Sequence, residues 1–201
     1  HIAQGSLGAA NADAAAMFEL ARRARKPALL AQALNRRAMV EIRQGNSRDG
    51  AVTAADAVKA AQAARQPALE AIGLYRLAEA QFRLRLNEKA AKTAAQAAKL
   101  FKSQGDVAGQ GRALWAMAAA RSGQGHAQEA ARVLDKAVAL ARQCGDLYGL
   151  GNALNLQTFN EPDIAKSLRL LQQSLAAFGA AGYAERQGVI MHNLGLAYFK
   201  L

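Results

Sequence analysis

The side chains best fitted to catalysis or metal binding are few in this sequence, and they are scattered. The histidines are His1, His126 and His192, too far apart to show metal-ligand spacing. Cys144 is the single cysteine, so neither an internal disulfide nor a paired redox motif can form. At the end of a helical segment it reads as a small packing residue. The run Gly145-Asp146-Leu147-Tyr148-Gly149-Leu150-Gly151 is rich in glycine. A phosphate-cradling loop, however, needs a strand before it, and here the preceding residues form a helix. A turn followed by close helix packing accounts for these glycines. No pair of carboxylates stands apart from the general surface charge. No catalytic, cofactor-binding or metal-binding residue is therefore assigned and no cofactor is expected. The chain is read as non-enzymatic, with a catalytic domain fused outside it left open.

Charge and alanine dominate the rest. The net charge of +11 is uneven: residues 1–102 hold 17 Lys/Arg against 8 Asp/Glu, residues 103–201 hold 9 against 7. A basic half attracts nucleic acid, anionic lipid or an acidic protein. Scattered along helix faces, these charges also read as a solvated surface. Aromatic residues, at 5%, are too sparse to stack bases in series, which ranks nucleic acid below protein as a partner. Hydrophobic residues make up 52% of the chain, alanine foremost, and only three prolines interrupt it. Alanine is the best helix former, so an almost all-helical protein of thin, closely spaced layers is expected. No apolar run is long enough to span a membrane, and residues 1–8 lack a signal-peptide layout. The compartment is read as cytoplasmic, or periplasmic if the parent protein is a membrane-anchored receptor. The chain begins with His1 rather than Met, and the expectation is a piece of a longer protein.

The elements that would position any site come from a repeat. Pro27-Ala28-Leu29 and Pro67-Ala68-Leu69 stand 40 residues apart, and Asp106 and Asp146, also 40 apart, stand just before the next two places of that step. Leu34, Leu74, Leu114 and Leu154 keep it, as do Ala38, Ala78 and Ala118. A last copy follows at a spacing of 37, with Gly145, Gly151 and Leu154 matching Gly182, Gly188 and Met191. The missing residues fall near Asn160-Glu161-Pro162. Each unit reads as two helices. The first run over 27–44, 67–86, 107–122, 147–159 and 184–201. The second run over 9–25, 50–65, 88–104, 126–143 and 163–181. Gly105 and Gly145 read as helix C-caps followed by the N-caps Asp106 and Asp146, and Pro27 and Pro67 suit the first turn of a helix.

On these residues the chain resembles the tetratricopeptide repeat family. Asn193-Leu194-Gly195-Leu196-Ala197-Tyr198 carries the signature of the family's first helix: large, small, then an aromatic one turn on. Leu114, Met117, Ala118, Gly125, Ala130, Leu134 and Ala137 take the matching places of the third unit. The period of 40 departs from the usual length of about 34, and HEAT-type repeats of about 40 residues are the alternative. Arg37, Glu41 and Arg121 also stand where the family has large apolar or aromatic residues. The resemblance implies an all-α, right-handed superhelix, an α-solenoid of antiparallel helix hairpins. It would occupy 1–201 as a single array: a half repeat at 9–26, repeats at 27–66, 67–106, 107–146 and 147–183, and a last first-type helix at 184–201. Longer variants of this kind sit beside nucleotide cyclases, histidine kinases or DNA-binding domains in bacterial signalling proteins.

The resemblance also implies a concave groove lined by the first-type helices. Its leading column here is Asn35, Tyr75, Trp115, Asn155 and His192. Three residues earlier lie Gln32, Ile72, Arg112, Asn152 and Val189. Four later lie Met39, Glu79, Ala119 and Leu196, and eight later Arg43, Arg83 and Lys200. Asparagine amides can hold an extended peptide backbone, Trp115 and Tyr75 could anchor an interface, and Arg43, Arg83 and Arg112 would favour an acidic ligand. The family's lysine-, arginine- and asparagine-based clamp for a terminal carboxylate is not clearly reproduced. The expected function is that of a sensory or scaffolding module of a larger bacterial signalling protein, binding a protein or peptide in the groove. The alternatives are a homodimerisation scaffold, pairing through the apolar end near Tyr198-Phe199-Lys200-Leu201, and a nucleic-acid-binding solenoid.

Overall fold

A computed structural model of the chain describes residues 6–199; His1, Lys200 and Leu201 lie outside them. The described residues form ten α-helices and no strand. They are α1 (Leu7–Ala24), α2 (Pro27–Arg43), α3 (Ser47–Ala63), α4 (Pro67–Arg83), α5 (Asn87–Ser103), α6 (Val107–Gly123), α7 (Ala127–Cys144), α8 (Leu147–Gln157), α9 (Ile164–Ala180) and α10 (Ala184–Tyr198), with a short 3-10 turn at Thr158–Asn160.

A single backbone device links nearly all of them. Arg25, Gly45, Arg65, Arg85, Gly105, Gly125, Gly145 and Gly182 have positive φ, the first seven at intervals of twenty residues. In seven turns the residue after the left-handed one donates its N–H to a carbonyl five residues back, as Asn46 does to Glu41 at 2.9 Å and Leu86 to Gln81 at 2.9 Å. This is a Schellman closure, which satisfies the last carbonyls of the helix. The donating residue is also the N-cap position of the next helix, so one turn both ends and begins a helix. Asp106 and Asp146 fill that position best, accepting from Gly109 N–H at 2.7 Å and Gly149 N–H at 3.1 Å.

Most helix boundaries shift by one to three residues from the sequence reading; the helix expected over 50–65, for example, starts at Ser47. The helix expected over 67–86 stops at Arg83, because Leu84-Arg85-Leu86 forms the same turn with arginine in the left-handed place. The helix expected over 147–159 gives way at Gln157 to the 3-10 turn. There Pro162 and the N-cap Asp163, which accepts from Ala165 and Lys166 N–H, start α9 by another route.

Consecutive helices pack side by side, and α2, α4, α6 and α8 also touch one another in sequence. Their contacts are built on small residues. Ala31, Ala71, Gly111 and Gly151 recur at the forty-residue step and are all buried. So do Ala33, Gly73, Ala113 and Ala153. A Cβ at Gly73 would stand 2.9 Å from Val58 Cγ2, and one at Gly151 2.9 Å from the Phe178 ring. Helices this close leave no room even for a methyl group without a shift. Larger side chains fill the remaining gaps: Tyr75 and Phe101 around α4–α6, Leu134 and Leu154 around α6–α8, Phe178 and Ile190 around α8–α10. Lys89, Lys92, Lys99 and Lys102 of α5 are exposed, as a solvated outer face would be.

Arginine in the left-handed region is strained by about 1 kcal/mol or more relative to glycine. Arg65 is exposed, with φ 52° and no side-chain partner among the described residues. Arg65→Gly should therefore stabilise the chain by about 1 kcal/mol, read as a higher urea midpoint by circular dichroism.

Candidate binding face on the even-numbered helices

The faces of α2, α4, α6 and α10 carry several guanidinium groups, and the array curls far enough for α2 and α10 to meet there. Arg43, at the end of α2, donates to Glu185, at the start of α10, across 3.3 Å and 142 residues of sequence. Its side chain is only 3% exposed and lies over the Tyr148 ring, 5.2 Å from the centroid. Arg112 approaches the same ring at 5.6 Å. It grips Asp146 with two bonds of 2.7 Å, the forked geometry of the strongest charge-assisted pairs. Asp146 thus caps α8 and holds α6 at once.

Glu79 is the centre of the group. It is 1% exposed and is held by Arg76 at 3.1 Å and Arg83 at 3.4 Å. Burial pushes its carboxyl pKa up, but Arg76, Arg43, Arg83 and Arg186 together outweigh that and hold it below 4.5. Burial, with Arg186 nearby, lowers the pKa of Arg43, against the pull of Glu79 and Glu185. Arg112 is shifted upward, chiefly by its hydrogen bond to Asp146. Burial, helped by Glu79, pushes the Tyr75 phenol up.

This ionic cluster lies between two clefts. One, about 420 Å³, is lined by Gln32, Asn35, Met39, Ile72, Tyr75 and Arg112, among others. It runs on past Met17, Arg36 and Arg76 into a space of about 530 Å³ bounded by Arg43, Tyr148 and Tyr183. The other cleft, about 640 Å³, gathers Phe82, Arg83, Arg85, Trp115, Asn155 and Arg186. Arg76 faces the first and Arg83 the second, and both hold Glu79.

The expected groove residues are accordingly divided. Asn35 is buried, its amide donating to Leu69 O at 3.0 Å, and Tyr75 is only 4% exposed. Little of either can touch a ligand. Trp115 is half-buried in the second cleft, and its indole N–H has no hydrogen-bond partner among the described residues. Asn155 lies beside it and accepts from Asn193 at 2.9 Å. Arg43 and Glu79 are buried in the ionic cluster, with Arg112 and Arg83 at its two edges. His192 is exposed on α10 and lines neither cleft. Lys200 falls outside the described residues. Sequence spacing missed Arg76, Tyr148, Glu185 and Arg186. Glu185 and Arg186 join the cluster only because the array curls back on itself, and no local signal marks that. Among the described residues, no group of three or more His, Cys, Asp or Glu could hold a metal ion, and no helix is long and apolar enough to cross a membrane.

Fold and face together define an all-α protein of paired, repeating helices. The crystal structure of BtubC (BKLC) from P. vanneervenii is similar, with a TM-score of 0.64 at 16% identity over 97% of this chain and 92% of that one. A Rap protein complexed with competence and sporulation factor is also similar, with a TM-score of 0.54 at 15% identity over 86% of this chain. The chain spans about half of that protein, 53% of its length. At these identities the likeness is one of fold. No protein-family model and no curated protein matches the sequence.

Neutralising Glu79 should leave Arg76 and Arg83 without their carboxylate partner. Glu79→Gln is expected to destabilise the chain by about 3 kcal/mol at pH 7. Because the folded pKa of Glu79 is depressed, its contribution is present above about pH 4.5 and is lost as pH falls through the lower folded value. Urea midpoints measured from pH 7 to 3 should converge for the two proteins.

Proposed function

We propose that the chain is a tetratricopeptide-like array with repeats at 27–66, 67–106, 107–146 and 147–183, wound as a right-handed superhelix. Its work is to bind a peptide or protein segment on its concave side, as a module of a larger bacterial signalling protein. The observation that carries this reading is the cleft around Trp115. It is open, lined by side chains from α4, α6, α8 and α10 and the turns beside them, and mixes aromatic rings, amides and guanidinium groups. Preformed clefts with a few convergent polar groups are the usual form of a recognition site. That a similar fold in a Rap protein is complexed with competence and sporulation factor is consistent with recognition of a partner by this architecture.

A peptide library selected on the purified chain is the direct test. Binders should lose about tenfold or more in affinity on Trp115→Ala, an anchor loss of roughly 2 kcal/mol, and should be indifferent to His192→Ala. Selected binders that ignore Trp115→Ala, with the helical signal intact, would place recognition elsewhere.

Self-association is the second reading. It draws on the apolar side chains that α10 exposes: Val189, Met191, Leu196 and Tyr198 are 40–57% exposed. A dimer through this helix predicts a light-scattering mass that rises with concentration and returns to that of a monomer on Met191→Glu with Leu196→Glu. A constant monomer mass in the parent chain would remove it.

A further inference from the structure

We propose that the Trp115 cleft takes an acidic segment of a protein partner, with an apolar side chain of that segment against Trp115 and its carboxylates on Arg85 and Arg186. This names the ligand class of the site described above and rests on that reading.

The two clefts differ in how their arginines are answered. On the first, Arg76 reaches Glu79 at 3.1 Å, Arg43 reaches Glu185 at 3.3 Å, and Arg112 holds Asp146 by two bonds of 2.7 Å. Those three charges are paired within the fold, although Nε of Arg43 and of Arg76 makes no hydrogen bond and Arg36, at the same cleft, has no ion pair among the described residues. On the second, no aspartate or glutamate lines the cleft. Arg83 has only the longer share of Glu79, at 3.4 Å. Arg186 Nε is buried without a hydrogen bond among the described residues, 4.0 Å from Glu185 Oε1. Arg85 has no ion-pair partner among the described residues, although its turn holds it at the cleft edge. Guanidinium groups that are unpaired, as Arg85 is, or only loosely paired around a partly enclosed space favour an anion, and their planar forks suit carboxylates.

The apolar half of the site narrows the class further. Trp115 is half-buried there, and Phe159, 69% exposed, stands at the rim with Phe82 and Leu156. An isolated anion would leave these surfaces wet. A segment that alternates carboxylates with an aromatic or aliphatic residue covers both. Nucleic acid fits less well, because one indole and no row of aromatic platforms is available for successive bases.

Trp115 is the only tryptophan of the chain, so its emission reports this cleft alone. The probes are a terminally blocked peptide with one phenylalanine among glutamates, the same peptide with lysines, and an oligouridylate. The acidic peptide should shift the emission saturably, the lysine peptide should not, and Arg85→Gly with Arg186→Gln should weaken the acidic peptide at least tenfold while the circular dichroism is unchanged. The proposal is overturned by no response to the acidic peptide, by an equal response to lysine, by tighter binding of the oligouridylate, or by arginine variants that bind as the parent does. If library-selected binders depend on Trp115 but are basic or neutral, the groove reading stands and only the acidic class falls.

Discussion

Everything in this molecule hangs on a three-residue turn whose middle residue is left-handed. The turn closes one helix by a Schellman bond and opens the next on the residue that follows. It therefore sets helix length, reverses chain direction, and does so at a fixed interval of twenty residues from Gly45 to Gly145. Connections inside a hairpin and between hairpins are the same turn. The forty-residue repeat visible in the side chains is thus twice the backbone period. Where the device is missing, between α8 and α9, the helix shortens, a 3-10 turn takes over, and the register slips to the shorter spacing of the last unit.

Short turns force neighbouring helices close, and small residues are what make that contact possible. Buried alanine and glycine carry little apolar area each, so the core is thin and spread along the array rather than gathered in one centre. Such arrays owe their stability to nearest-neighbour interfaces. That makes the Arg43–Glu185 pair unusual, because it joins α2 to α10 directly instead of through the helices between them.

The ionic cluster around Glu79 is where stability and recognition meet. Burying Arg43 and Glu79 costs several kcal/mol of desolvation per ion, offset only by close partners on every side. The cluster fills the middle of the face and leaves a cleft on each side of it. In the first cleft Arg43, Arg76 and Arg112 each hold an internal carboxylate; in the second Arg83 and Arg186 have only the longer contacts to Glu79 and Glu185, and Arg85 has none among the described residues. The difference lies in which carboxylates the fold brings near, since both clefts are comparably rich in arginine.

Much of the fold was legible in the sequence. Alanine content, Pro27 and Pro67 at helix starts, the cap pairs Gly105-Asp106 and Gly145-Asp146, and the recurring Leu34 column all act locally, through bonds reaching only a few residues. The turn at Arg85 escaped because arginine gives no sign of a left-handed backbone. The groove columns marked Trp115, Asn155 and Arg83 on the open cleft. They also marked Tyr75, Asn35 and Glu79, which the packed helices bury. Exposure on a helix surface is decided by the next helix, which sequence spacing cannot see. The sequence by itself determined the helices, their turns and the small residues that let them stack, because each depends on neighbours along the chain. Only the tertiary structure decided that Arg43 meets Glu185, which arginines find a carboxylate and which cleft keeps its charge, because those pairings depend on how far the whole array curls.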